Sequence, residues 1–399
     1  MQSGKIVIQS LSKVFGADPE VALDLLRQRW SKERVLAKTG AVVGVNNVSF
    51  DVQEGEIFVL MGLSGSGKST LVRLINRLIE PSAGRVFIDG QDVARLPRPQ
   101  LIALRRRDMS MVFQSFALMP TRTVLDNAAF GLEVAGVPRR TREQRASEVL
   151  EQVGLASFAK HFPHELSGGM QQRVGLARAL AVNPSMIIMD EAFSALDPLK
   201  RREMQDILLQ LQKDHRRTII FVSHDIEEAI RIGSRIGIME GGSLIQVGTP
   251  QQIIENPANN YVRSFFNTID TSRYLTARQL MADSVPVFVH NGKAPDTRTV
   301  TRTLQELDKH YAFVVDENRS FRGSISLERL ALLDEATIPR LESPLLTPLE
   351  PVPHDMPLNH LIERMARIDG PIPVMDADGH YCGAISKGRL LGQLRDARA

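Results

Sequence analysis

Cysteine occurs once in these 399 residues, at Cys382, so no internal disulfide and no thiolate metal cluster can form. No apolar run approaches the roughly 18 residues of a membrane span. The opening MQSGKIVIQSL has neither the basic start nor the apolar stretch of a signal peptide. A chain in the cytoplasm, or held peripherally against a membrane, is expected. Charge of one sign is also lacking. The formal net charge is +3 with both signs interspersed, which is no electrostatic footprint for nucleic acid. The run Arg105-Arg106-Arg107 reads as a solvated helix face. What remains, 43% hydrophobic and 24% charged residues, is the composition of a globular protein long enough for two or three domains.

Two stretches look like helix starts built to approach an anion. GLSGSGKST, Gly62 to Thr70, fits the pattern G-x-x-x-x-G-K-[ST] and stands between the strand-like EIFVLM and the helical LVRLINRLI. Its elements Gly62, Ser64, Gly65, Gly67 and Thr70 would wrap phosphates with backbone N–H groups. Lys68 would neutralise the β- and γ-phosphates, and Ser69 would ligate Mg²⁺. The second start, Ser167-Gly168-Gly169, opens the helical run GGMQQRVGLARAL about a hundred residues later, although glycine there costs helix stability. Complementing them, SMIIMDE ends an apolar run in two carboxylates, Asp190 for the metal and Glu191 as general base toward an attacking water.

Short apolar runs at Glu56–Gly62, Ser185–Asp190 and Thr218–His224 alternate with helical patterns, which predicts an α/β domain with a largely parallel sheet and ligands at its carboxyl ends. A polar connector near Asn267–Arg273 closes this part. Beyond it, an offset of about 60 residues aligns FVVDENRSFRGSISLERL with PVMDADGHYCGAISKGRL, a repeat of strand, turn, strand and helix whose two copies should pack as a pair.

With LSGGMQQ added, the residues resemble the ATPase subunit of ATP-binding-cassette (ABC) transporters. The family's marks come in order: Gln114 in MVFQ as the Q-loop glutamine, Leu166 to Met170 as the signature loop followed by Gln171, SALD ending at Asp197 as the D-loop, and His224 as the switch histidine. The resemblance implies a P-loop NTPase fold, a parallel-sheet core with an antiparallel β subdomain and a helical signature subdomain. It also implies ATP as substrate, Mg²⁺ held by Ser69, Gln114 and Asp190, and a homodimer in which the Ser167–Gly169 start of one protomer closes on the phosphate loop of the other. Adenine stacking falls to Phe15 or to no upstream aromatic at all, since Phe15 could be core. An insertion at about residues 17–42 separates it from GVNNVSF.

The same segments resemble the energising subunit of glycine betaine/proline-type importers, and the repeat resembles a tandem pair of CBS domains, giving expected domains at 1–268 and 269–399, with copies at about 275–335 and 345–399. The implied partners are two integral-membrane permease subunits and, indirectly, a periplasmic or lipid-anchored solute-binding protein, with the chain on the cytoplasmic face of the inner membrane. Ligand-binding CBS copies commonly carry Asp three residues after the Ser/Thr. Here those positions are Arg329 and Arg389, leaving an anionic nucleotide, ionic strength or structural pairing as open readings. A soluble mechanical ABC ATPase and a nucleotide-sensing regulator are the competing functions.

Overall fold

Runs such as IFVLM, MIIMD and TIIFVS show no polar alternation, so the strands they form need cover on both faces. In the computed structural model, which describes residues 4–266, 275–282, 285–290, 296–332 and 346–396, every residue of these three runs is buried. Backbone contacts divide the chain into two units, Met1–Phe265 and Phe266–Ala399.

The first unit carries the strands β1 (Ile6–Phe15), β2 (Val42–Val52), β3 (Ile57–Met61), β4 (Ala83–Ile88), β5 (Gln91–Asp92), β6 (Met109–Phe113), β7 (Met186–Asp190), β8 (Thr218–Ser223), β9 (Arg235–Glu240) and β10 (Ser243–Gly248). One sheet, in the order β2-β1-β4-β5, is antiparallel. The other runs β10-β9-β3-β8-β7-β6 and is parallel except for β10. Ile6, Leu11 and Val48 of the first sheet share a core with Leu60, Ile188 and Val222 of the second and with Leu71 and Leu74 of the helix Lys68–Ile75. Three further helices, Val124–Val134, Arg139–Gln152 and Gly168–Ala181, pack on one another as a separate layer.

The inserted residues fold into two helices, Pro19–Arg27 and Lys32–Thr39, capped by the side chains of Asp18 and Ser31. Ala22, Leu23, Leu25 and Val35 bury against Val14 and Val43, so the insertion braces the end of β1 and the start of β2.

The second unit repeats one motif. Strand β11 (Val287–His290) pairs parallel with β12 (Tyr311–Asp316), which pairs antiparallel with β13 (Phe321–Ser326). Likewise β14 (Val352–Pro353) pairs parallel with β15 (Ile372–Met375), and β15 antiparallel with β16 (Tyr381–Ile385). The recurrent residues are turn and cap devices. Asp316 Oδ1 accepts from the amides of Asn318 and Ser320 as Asp376 Oδ1 does from Asp378 and His380. Ser326 and Ser386 cap the helices that follow by accepting from the amides of Arg329 and Arg389. The connector Asn267–Arg273 lies outside the described residues.

The arginine run departs from its sequence reading. Arg106 is exposed and Arg107 pairs with Asp108, but Arg105 donates from Nε to the Asn76 carbonyl at 2.9 Å and from Nη2 to the Arg77 carbonyl at 2.7 Å. It caps the C-terminal end of the helix Lys68–Ile75, where helix carbonyls lack intrahelical donors. Arg105→Met, which strands both carbonyls, should cost about 1–2 kcal/mol in denaturant unfolding. Arg106→Ala should stay within about 0.5 kcal/mol.

Candidate active site

Strand register brings the sequence motifs together. Leu60 of β3 pairs with Val222 of β8, Val222 with Asp190 of β7, and Asp190 with Phe113 of β6. These residues form one rung. The chain then leaves the sheet from its carboxyl edge as the Gly62 loop, His224, Glu191 and Gln114, where ligands of open parallel sheets bind.

The loop after β3 depends on its glycines for backbone reasons. Gly62 has φ +154° and Gly67 φ +100°; a Cβ on Gly62 would stand 2.3 Å from the Met239 carbonyl oxygen, and one on Gly67 2.4 Å from that of Gly44. Gly67 begins the helix Lys68–Ile75 with no side-chain cap, which leaves its first N–H groups for an anion. Ser64 and Gly65 lie exposed at the tip.

Lys68, only 4% exposed, donates to the loop's own carbonyls at Gly62 (2.8 Å) and Leu63 (3.1 Å), where phosphate oxygens would compete for it. Burial pushes its pKa down, and the charges of Glu191 and Asp190 push it back up. Ser69 Oγ donates to Asp190 Oδ1 at 3.0 Å. Asp190 is 8% exposed; burial raises its pKa and the Ser69 bond lowers it. Glu191 adopts φ +47°, unusual for a side-chain-bearing residue. Its amide donates to the Val222 carbonyl at 3.2 Å, while its carbonyl accepts from the amide and hydroxyl of Ser194. So held, its carboxylate stands between Lys68 Nζ at 3.9 Å and His224 Nδ1 at 3.7 Å. Strain of this kind costs on the order of 1 kcal/mol and concentrates at functional sites.

Phe15 is 40% exposed. A Cβ built on Gly44 would meet its ring at 2.8 Å and the Thr70 methyl at 3.3 Å, so the ring lies beside the start of the loop helix. Gln114, exposed, follows the last residue of β6.

The second glycine pair is different in kind. Neither Gly168 nor Gly169 has a positive φ, and among the described residues a Cβ at Gly168 would meet the Phe116 ring alone within 4 Å, at 3.7 Å, beyond its own helix and chain neighbours. At Gly169 the neighbour is the Lys200 side chain, whose Cδ is 3.1 Å away and free to shift. Ser167 caps the helix Gly168–Ala181 by accepting from the Met170 amide, and Asp197 caps the helix Pro198–His215 by accepting from that of Lys200. Gln171 turns inward: its Nε2 donates to the carbonyls of Pro163 and Leu166. The described residues thus give no reason for Gly168, and the phosphate loop contributes none of the atoms around it.

Two contacts had no signature in the sequence. The Tyr261 hydroxyl accepts from the Leu63 amide at 3.4 Å and donates to the Met239 carbonyl at 3.1 Å, fixing the loop tip from nearly 200 residues away. Arg178 donates from Nη1 and Nη2 to the carbonyls of Ala117 and Phe116, just after Gln114. Its position in the run LARAL could have been singled out only as a charge on an otherwise buried helix.

Known proteins resemble this chain along nearly its whole length. The ABC transporter family model matches residues 45–194 and the CBS domain model residues 345–396. The chain is 48% identical over 98% of its length, and 97% of the relative's, to the glycine betaine/proline betaine transport system ATP-binding protein ProV of Escherichia coli. It is 45% identical to the glycine betaine/carnitine transport ATP-binding protein GbuA of Listeria monocytogenes, over 98% of this chain and 97% of that one. Among solved structures, the dimeric bacterial ABC transporter cassette MJ0796 superposes with a TM-score of 0.52 at 32% identity, over 61% of this chain and 98% of that one.

Gly168→Ala should leave thermal stability unchanged or raise it by up to about 1 kcal/mol, because alanine is the better helix former. The same change should cut nucleotide hydrolysis sharply. Loss of stability without loss of turnover would mean that Gly168 serves its own fold.

Proposed function

Because the chain belongs to the ATP-binding subunits of ABC transporters, in the branch of the glycine betaine proteins it matches along nearly its whole length, we propose that it hydrolyses ATP to drive uptake of betaine-class osmolytes through a separate membrane permease. Glycine betaine, proline betaine, choline and carnitine form the solute class. The observation that carries this reading is the cluster of Lys68, Ser69, Asp190, Glu191 and His224 at one edge of a buried parallel sheet.

In this mechanism the amides of the Gly62–Thr70 loop and the ammonium of Lys68 bind the phosphates, and Phe15 stacks on the adenine. The hydroxyl and carboxylate of Ser69 and Asp190, already paired, are hard oxygen donors that fit Mg²⁺, with Gln114 as a further ligand; when bound, the ion neutralises charge on the β- and γ-phosphates. Glu191 takes the proton of the attacking water, and His224 orients that carboxylate and the γ-phosphate. Two protomers pair head to tail, so that Ser167, Gly168 and Gly169 of each present a helix N-terminus to the nucleotide held by the other. Asp197 stands at the segment that faces the partner.

Among the described residues no helix is long and apolar enough to cross a membrane. In this reading the chain sits peripherally at the cytoplasmic face of the inner membrane, under two permease subunits that a solute-binding protein loads. A mostly apolar groove of about 670 Å³, lined by Phe116, Leu118, Pro120 and Pro163 beside Gln114, offers a permease segment a surface next to the nucleotide site.

The repeat unit acts as the regulator. A cavity of about 380 Å³ lies among Lys309, His310 and Tyr311 of one copy and Gly370, Ser386 and Lys387 of the other. Arg329 and Arg389 do not line it; Arg329 instead donates to Thr347 Oγ1 at 2.9 Å. The ammonium groups of Lys309 and Lys387 at the cavity would attract an anion, and salt screens attraction between exposed charges, which suits a sensor of ionic strength or of an anionic nucleotide.

Glu191→Gln should retain ATP binding while phosphate release slows by about 10²-fold or more. Turnover at the wild-type rate would remove Glu191 as base. For regulation, Lys309→Ala combined with Lys387→Ala should shift the internal salt concentration that activates solute uptake in reconstituted vesicles. Activation curves identical to the wild type's would reduce the repeat unit to a structural appendage.

A further inference from the structure

His224 has little of its own to hold it. Its side chain is 54% exposed, and the contact with Glu191 is a loose 3.7 Å. The residues on either side of it are fixed firmly, and by the same helix. Pro198–His215 begins at Asp197, and its residues Arg201 and Gln205, one turn apart, share a face.

Arg201 donates from Nη1 to Asp225 Oδ2 at 2.8 Å and from Nη2 to the Leu196 carbonyl at 3.3 Å. One guanidinium therefore joins the residue after His224 to the segment before Asp197. Gln205 donates from Nε2 to Glu228 Oε1 at 3.1 Å, and the other oxygen of Glu228 accepts from the Ser223 hydroxyl at 2.5 Å. That second strut reaches the residue before His224. The turn is closed internally as well. Asp225 Oδ1 accepts from the amides of Glu227 and Glu228, and the Asp225 amide donates to Ser223 Oγ at 3.0 Å. Glu228 is 6% exposed, so its carboxylate depends on these partners and its position is closely determined.

We propose that Arg201 and Gln205 are positioning residues that hold His224 from both flanks and tie it to the Leu196–Asp197 segment, so that a shift of that segment resets the geometry of His224 against Glu191. The inference rests on the roles given above to His224 and Glu191. In a head-to-tail dimer the Leu196–Asp197 segment is where the partner is felt, so the two struts make hydrolysis at one site depend on seating of the other subunit.

The test is a double-mutant cycle on the full-length protein, with ATP turnover and the thermal unfolding midpoint measured for each variant. Arg201→Met should lower kcat by roughly 10- to 100-fold, the scale expected for a misplaced catalytic group. Its KM for ATP should stay within about twofold, since no nucleotide contact is removed. Arg201→Lys, which can keep the Asp225 ion pair but not the Leu196 bond as well, should recover part of the loss. In a His224→Ala background Arg201→Met should cost less than about threefold more, because the group it positions is gone. If Arg201→Met does not fold, Arg201→Lys carries the same cycle. Wild-type kcat for Arg201→Met beside an inactive His224→Ala, or losses that multiply in the double variant, would overturn the proposal while leaving the site assignment intact. Wild-type turnover of His224→Ala would instead remove the site assignment, and the proposal with it.

Discussion

The register of four parallel strands is the constraint on which the rest depends. Because Leu60, Val222, Asp190 and Phe113 share one rung, the loop after β3, the turn after β8, the carboxylates at the end of β7 and the glutamine after β6 all lie on one edge. A slip of one residue in any of these pairings would turn that strand's side chains to the opposite face and move the segment that follows it by about 3.3 Å along the strand direction. Apart from the Asp190 that ends MIIMD, the runs that secure the register, IFVLM, MIIMD and TIIFVS, carry little chemistry themselves. Their contribution is positional, and it reaches Lys68, Asp190 and Glu191 through bonds that begin within a residue or two of each strand end.

The glycines divide the molecule's requirements into internal and external ones. Gly62 and Gly67 are demanded by the backbone of this chain, since any side chain would strike the carbonyls of Met239 and Gly44. Among the described residues nothing demands Gly168, and its cost to helix stability fits a helix start that something from outside approaches closely. On the proposed reading, a single protomer holds a complete phosphate loop and half of each nucleotide site. The struts from Arg201 and Gln205 fit the same logic, for they connect the segment at Asp197 to the turn that carries His224.

What the sequence revealed, and what it hid, follows from the range of the interactions. The strands at Ile57, Met186 and Thr218, the loop glycines and the repeat around Asp316 and Asp376 are local patterns, so spacing and composition exposed them. The grip of Tyr261 on Leu63 and of Arg178 on Phe116 and Ala117 spans long stretches of chain, and neither side chain carries a local mark of its partner. Arg105 was misread for a related reason. A run of three arginines looks like solvent-facing charge, yet the first points across to two helix-end carbonyls that only the fold brings near. At the second unit, Arg329 and Arg389 depart from the ligand-binding pattern and leave several readings open; in the fold each preceding serine caps a helix, and the cavity is lined by Lys309 and Lys387.

The central claim, that each protomer supplies half of each nucleotide site, is tested most directly by mixing two damaged subunits. Lys68→Ala removes the phosphate ammonium and Ser167→Arg blocks the opposing helix start, so each homodimer has two broken sites. In an equal mixture about half of the dimers are heterodimers with one site free of both lesions, and ATPase activity should return to about one quarter of the wild-type level. Activity of the mixture no greater than the mean of the two variants alone, or wild-type turnover by either variant alone, would contradict the account.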